Sequence, residues 1–567
     1  MVEQCLFQKL SKLSVQFACT APFGCLRPVL LAQTRPFSPQ LGSMSWKGGW
    51  KRQLGLGVGS RDSSSLPAAA DRGDRERSRS PRRCEGGEAE FRKTLGVFFL
   101  ANKLSAKDTF IVASSAIAAG AMGSDDLGDI GCAGKFPGNM HRDLMRRLLN
   151  KCSWPREYYC RVPVRGSSGE KEFVDVPVLL PHEVLQVMVA QNPEAVGALQ
   201  ASAEQGAYLL PAVEHFAKEF EIAREKVIPI GFHGDGVPFS AKMGDSLEQF
   251  SWNFPALQGG GRILFAAVPQ SCLWESATFD ELLSVWSWSM AQFVNGRYPS
   301  VRRNGSDFGE KGREREALAG QQLSHAGCLV QLRGDWAFYK STFRFPSWAS
   351  RTICWKCSAA KGDTCMSYKN CGEGAPWRDG RLSGNQFLKV QRRQGIKPSP
   401  IFASPGCKVD YVMVDWLHAV DLGVGADMLG NVFNEVVDLL PGLTRKERVQ
   451  NMWGRLRAWY KEARPPSQLQ TLTPEMVRLP GKPPKLRAKA GECRYLLPFG
   501  AALAAEFAEG SEHRKTVGHL TRNLLEVATC VSKGAWDDQA AKKAARKFCL
   551  LYTALEKEAL ASGDPTS

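Results

Sequence analysis

Two apolar runs in this chain end on the same pair of residues, a glycine followed by an aspartate. VIPIGFHGDGVPF (227–239) reaches Gly234-Asp235, and CLVQLRGDW (328–336) reaches Gly334-Asp335. Runs of this length, rich in Val, Ile, Leu and Phe, read as buried strands. The glycine leaves the backbone open where each carboxylate would project. Taken singly, a Gly-Asp pair is ordinary turn chemistry. Two in matching settings constrain the fold further, because open α/β sheets gather their functional groups at strand ends. Around them, RILFAAVP (262–269) follows a Gly-rich, hairpin-like turn and is predicted as a strand. FDELLSVWSWSMAQFV (279–294) has the length and apolar content of a buried helix. YVMVDWLH (411–418) reads as a strand leading into the helix ADMLGNVFNEVVDLL. Strand, strand, helix, strand, strand, helix is an α/β pattern.

Acids on neighbouring strands, joined by a third from a helix, suit one chemistry well. Phosphoryl transfer by two metal ions needs carboxylates holding Mg²⁺ or Mn²⁺ about 4 Å apart, and hard cations prefer such oxygen ligands. Asp235 and Asp335 are the first two candidates. His233, two residues before Asp235, reads as structural rather than as a ligand.

The charge balance points the same way. The formal net charge is +17, and residues 441–494 hold thirteen Lys/Arg against four Asp/Glu. Concentrated positive charge favours a polyanion, most commonly nucleic acid. Within that segment, Arg445, Lys446, Arg455, Arg457 and Lys461 are interleaved with Trp453 and Trp459, a pattern that suits phosphate neutralisation with base stacking. The other reading is an amphipathic helix whose tryptophans pack inward. Residues 1–95, with the run SRSPRR, are low in core-forming residues and read as a disordered basic tail. That run is also the one hint of an RNA partner. No stretch approaches the roughly 18–20 apolar residues needed to cross a bilayer, so no membrane partner is expected.

Seventeen cysteines form no repeating disulfide framework, which fits a reducing compartment, nucleus or cytoplasm. Four of them, Cys354, Cys357, Cys365 and Cys371, fall within eighteen residues with spacing C-x₂-C-x₇-C-x₅-C. Tetrahedral Zn²⁺ held by four thiolates is one outcome of such clustering. Ordinary thiols, or a partial site completed by His418, are the others. Nothing nearby resembles a general base, so a catalytic cysteine is not expected.

The series GDG (234–236), GDW (334–336), CWKC (354–357), DWLH (415–418) and AGECRYLLPF (490–499) resembles the catalytic region of eukaryotic DDE transposases of the CACTA (En/Spm) or Kyakuja–Dileera–Zisupton kind, over about residues 225–530. The resemblance implies an α/β fold with a ribonuclease-H-like core and a helical, basic insertion, preceded by a disordered N-terminal region. It implies a tail over 1–95, a helical region over 124–225, a core over 226–440 with a cysteine-rich zinc-type insert at 354–371, a basic insertion over 441–490, and a C-terminal helical part over 491–561. Asp235 and Asp335 become the first two catalytic acids, and Asp415 with His418 the intervening [Cys/Asp]-x-x-His motif. The third acid is then Glu492, with Glu435 as the alternative. The implied activity is metal-dependent DNA cleavage and strand transfer in the nucleus, with DNA as partner, no small-molecule substrate, and a homo-oligomer compatible with the pattern. The second reading is a catalytically inactive, transposase-derived DNA-binding protein.

Overall fold

The computed structural model describes residues 95, 104–119, 154–191, 193–203, 206–238, 246–257, 262–346, 349–362, 364–380, 382–532 and 537–562. The expected tail, apart from Leu95, and the helical pattern HRDLMRRLLNKC lie outside the described residues. The chain divides into two units, Pro22–Cys152 and the remainder. From the first comes a helix over Ala106–Ala118, started by the Ser105 hydroxyl, which accepts the Asp108 N–H. Among the described residues no helix is long and apolar enough to cross a membrane.

The larger unit is a mixed α/β structure. It opens with a hairpin, β1 (Tyr158–Arg165) and β2 (Lys171–Val178), paired antiparallel with Val162 opposite Val174. This differs from the helical region expected over 124–225. YYCRVPVR and KEFVDVPV alternate with period two, sending Cys160, Val162 and Val164 inward against Val174, Val176 and Val178. The strand period outweighs the helical spacing on either side. Helices α1 (Pro181–Gln191) and α2 (Leu210–Glu219) follow.

The sheet that positions the candidate site is built from β3 (Val227–Pro238), β4 (Ser246–Asn253), β5 (Ile263–Pro269) and β6 (Ala326–Arg333). Its order is β5-β4-β3-β6. β3, β4 and β5 form an antiparallel meander, whereas β6 lies parallel to β3 after a crossover through α3 (Glu275–Asn295). β4 is not marked in the sequence, because SLEQFSWN carries five polar residues against three apolar. One face of the sheet is apolar and closed by α3. The Trp286 ring meets Phe232 at 4.8 Å and Phe265 at 5.2 Å, and Phe250 meets Phe279 at 5.4 Å. Full burial of each such side chain is worth about 1.5–3 kcal/mol.

The strand expected over 411–418 is realised as a single parallel bridge, Val412 to Leu332, with Met413 N–H donating to the Leu332 carbonyl at 2.9 Å. A 3₁₀ turn over Val409–Tyr411 precedes it, and a π-helical segment over Leu417–Val424 starts almost at once, leaving no length for a ladder.

Beyond lies a helical layer: α5 (Gly425–Leu439), α6 (Arg445–Ala463), α7 (Ala490–Glu506), α8 (Glu512–Cys530) and α9 (Asp538–Ala561), with α4 (Trp336–Phe343) earlier, directly after β6. Leu429, Phe433, Met452, Leu456, Leu496 and Leu497 share one core. The basic segment 441–490 is therefore built into this layer and contributes Met452, Leu456 and Leu486 to its interior.

Candidate functional site

The two Gly-Asp pairs stand at neighbouring strand ends, and a phenylalanine explains their glycines. Phe338, on the first turn of α4, packs beneath both strands. A Cβ at Gly234 would lie 2.1 Å from its ring, and one at Gly334 would lie 2.4 Å from it. Removing both side chains lets α4 start immediately after β6 and brings Asp335 beside the end of β3. His233 is in register with Arg333, so Asp235 and Asp335 each follow two positions further along adjacent parallel strands, whose spacing is about 4.8 Å.

The electrostatics register this closeness. The Asp235 carboxyl is held above its ordinary range, first by burial and then by the Asp335 charge, against the pull of Arg262, the Gly236 N–H and His418. Glu248 on β4 is raised as well, by burial and then by the charges of both Asp235 and Asp335. It stands opposite Gly236, where an added Cβ would come within 3.0 Å of its carboxylate. Three carboxylates thus share one neighbourhood. Asp335 has a second task. Its Oδ1 accepts the Phe338 N–H at 2.6 Å and caps α4, a role worth about 1 kcal/mol.

Asp415 and His418 form their own short unit: the Asp415 carboxylate takes the imidazole Nδ1 and the His418 N–H, and the ring is exposed rather than buried in the core. His418 reaches Asp235 electrostatically. A neighbouring acid, Asp421, is buried in the π-helical segment, where it accepts from the Trp416 indole at 3.1 Å and pairs with Arg494 at 3.3 Å. This pair ties α7 to the segment after Val412.

Glu492 is placed differently from the aspartates. Its carboxylate accepts the Lys489 N–H at 2.7 Å in a capping box at the start of α7, and its charge is felt by Tyr460 and Cys493. Glu435 is bonded to His513 on α8 at 3.3 Å, which also meets Glu558 at 3.1 Å.

The other face of the sheet was not anticipated. With Phe232 turned to α3, residues Gly231, His233 and Asp235 face the opposite way. Across the strands, Gly231 lies between Asn253 and Gln331, His233 between Ser251 and Arg333, and Asp235 beside Gln249. Every one of these neighbours is polar. The Arg262 Nη1 donates to His233 Nδ1 at 3.0 Å, and the Arg333 Nη2 donates to Asn253 Oδ1. Burial, then Arg262 and Arg333, pull the His233 imidazole down to about 3, so it is neutral. Arg333 followed directly by Gly-Asp was the sequence signal available for this face. Glu248 and Arg262 carried none, because the register of β4 and β5 is not legible without the pairing.

The cysteines spread out. Cys354 accepts the Lys356 N–H at 3.3 Å, as in a loop wrapped around its sulfur, while Cys365 is exposed. Cys371 lies against Cys549 on α9, and the contact is flanked by Lys369–Glu556 at 2.7 Å and by Glu373–Arg546. Among the described residues no group of three or more His, Cys, Asp or Glu side chains closes around a metal position. Neither the four thiolates nor Asp235, Asp335 and Glu248 together form such a group among the described residues. The acidic cluster has the donor chemistry for a hard cation, and a bound ion would relieve the repulsion that raises Asp235 and Glu248.

On α6, Trp453 and Trp459 are half-buried against the helical core, with Trp459 5.6 Å from the Phe499 ring, as the inward-packing reading held. The cations differ: Arg457 and Lys461 are exposed, Arg455 pairs with Glu506 at 2.8 Å, and Arg445 with Asp438 at 3.2 Å. Lys446 is exposed at the start of the helix.

The chain matches no protein-family model, and no curated protein sequence matches it.

Proposed function

We propose that this protein acts on DNA by metal-dependent phosphoryl transfer, as a DDE transposase built on a ribonuclease-H-like core. The observation that carries the reading is Asp235, close to the end of β3, with Asp335, just after the parallel β6, in a sheet whose other strands form an antiparallel meander. The parallel bridge at Val412, on the outer side of β6, extends that order by one position.

In this reading Asp235 and Asp335 hold Mg²⁺ or Mn²⁺, and Glu248, which feels both of their charges from the strand end, is a third carboxylate to test, with Glu492 the one taken from sequence. Bound ions would activate the attacking oxygen and stabilise the departing one. The chain's own residues do the rest. Phe338 fixes the spacing of the two aspartates, the α4 cap orients the Asp335 carboxylate, and Asp415 holds the His418 ring beside Asp235. Exposed cations on α6 supply a phosphate-tracking surface. Zn²⁺ at Cys354 and Cys357 belongs to the same reading and would need ligands from outside the four-cysteine set.

The test is nicking of supercoiled plasmid in Mg²⁺ or Mn²⁺. Asp335→Asn keeps an oxygen for the α4 cap and is expected to lower nicking by about a hundredfold or more with DNA retention unchanged. Glu248→Gln and Glu492→Gln, run alongside, identify the third acid by which loss is larger. A wild-type protein that binds DNA and never nicks it at saturating metal sinks the enzymatic reading. The binding protein without catalysis then takes its place, in which Asp335 serves only as the helix cap that its bond to Phe338 describes.

A further inference from the structure

The polar face of the sheet contains two guanidinium groups, Arg262 and Arg333, that form no ion pair among the described residues. Arg333 is half-buried, and the charged or polar groups that act on it are Arg262, Tyr208 and Tyr339. No carboxylate is among them, and a second cation comes first. Its Nη2 is spent on Asn253, while its Nε is buried with no hydrogen-bond partner. Arg262 feels Asp235 at longer range but forms no ion pair with it among the described residues, and spends Nη1 on His233. A cation held partly out of water without a counter-charge, as Arg333 is, is costly, and the exposed Arg262 beside it adds repulsion. Such a pair persists where an anion completes it.

The backbone is shaped to keep the pair. Arg333 starts on β6 and reaches Asn253 on β4, so its guanidinium crosses over β3 at Gly231. A Cβ there would stand 2.8 Å from Arg333 Nη2 and 2.8 Å from Asn253 Oδ1. The glycine thus lets a cation lie flat across the middle strand. The neighbouring row adds donors. Because arginine can only donate, His233 Nδ1 accepts, and the ring proton sits on Nε2. The Ser251 hydroxyl, in the same row and 2% exposed, also has no partner among the described residues. The next row toward the strand ends begins with Asp235.

We infer that Arg262 and Arg333, supported by His233 and Asn253, form an oxyanion subsite that receives a backbone phosphate of the nucleic acid, one row of the sheet away from the acidic cluster. It rests on the phosphoryl-transfer reading for the identity of the ligand, though not for the existence of an anion site. The placement suits a phosphodiester next to the reacting one. The acids repel any phosphate that arrives without metal, and the arginines offset that repulsion beside them. Arg is better suited than Lys to this task, since its planar fork matches phosphate oxygens.

The experiment uses the full chain in EDTA, so that the acidic site carries no metal. Fluorescence anisotropy of a labelled DNA duplex is measured against NaCl concentration for wild type, Arg262→Gln and Arg333→Gln. Each substitution is expected to make the log–log salt slope shallower by about one. A parallel arm follows Tm with inorganic phosphate against chloride at matched ionic strength, where wild type should be stabilised and Arg262→Gln should lose most of that gain. Arg262 is exposed, so its variant remains informative even if Arg333→Gln does not fold. The slope decides when DNA binds: an unchanged slope in Arg262→Gln overturns the proposal. If DNA does not bind at all, the DNA reading fails and the Tm arm decides. A phosphate gain lost in Arg262→Gln then keeps the subsite for another phosphate ligand, and an unchanged gain, or none in wild type, overturns it.

Discussion

The two faces of one sheet make the instructive contrast in this molecule. Alternate residues of β3 serve both: Ile230 and Phe232 go to α3, while His233 and Asp235 go to the polar side. The apolar face is closed by ring packing around Trp286, which is 0% exposed. The polar face is crossed by Arg333 and carries Asp235 toward its edge. Stability is concentrated on the first face and charge on the second, although the two are one strand thickness apart. A strand that alternates between core and chemistry can place charges with the rigidity of a core.

That division of labour can be broken in measurable ways. Trp286→Ala removes the ring that Phe232 and Phe265 meet and should cost about 3–5 kcal/mol, read from urea unfolding. Arg262→Gln, on the opposite face, should stay within about 0.5 kcal/mol. Equal losses would mean that the polar face is structural after all. A second test uses a buried histidine behind the apolar layer. His182 bonds Ser289 on α3 at 2.8 Å, and burial, then Arg315, holds its ring down to about 3. The unfolded chain binds the proton near pH 6.5 and the folded one does not. This contribution is therefore complete above that pH and lost as pH falls from about 6.5 toward 3. Urea midpoints across that range should decline less steeply in His182→Gln; an unchanged slope would locate the acid sensitivity elsewhere. A smaller effect than at Trp286 is expected from Gly231→Ala. Pushing Arg333 off Asn253 forfeits one hydrogen bond, about 0.5–1.5 kcal/mol, and should weaken DNA retention in EDTA as Arg333→Gln does. Retention equal to wild type would show that the guanidinium has another path across β3.

What the sequence disclosed follows from how local each signal is. β3, β5, α3 and α5 carry their patterns within a single run and were legible. The paired glycines at 234 and 334 marked two strand ends, though their cause, the ring of Phe338, lies outside either run. β4 was hidden, because Gln249 and Ser251 look like loop residues until they face the polar side. The hairpin β1–β2 was hidden by helical spacing in its surroundings. For the site, Asp235, Asp335 and the Asp415–His418 bond could be anticipated from short motifs. Glu248, Arg262 and Arg333 could not be grouped, since only strand pairing brings β4, β5 and β6 together around β3. The cysteines show the opposite error. Nearness in sequence suggested one cluster, whereas Cys371 faces Cys549 on α9.

The parallel neighbour of β3 has a consequence for the order of assembly. β3, β4 and β5 are joined by short links, but β6 pairs with β3 across roughly a hundred positions, Val227 with Ala326. Closing so long a loop is entropically costly, and non-local pairings form slowly. The meander can therefore exist for some time before its parallel neighbour arrives. During that interval β3 is an open edge, and Asp235 has no companion. The meeting of the two aspartates, on this account, is a late event in folding, withheld until the last strand docks.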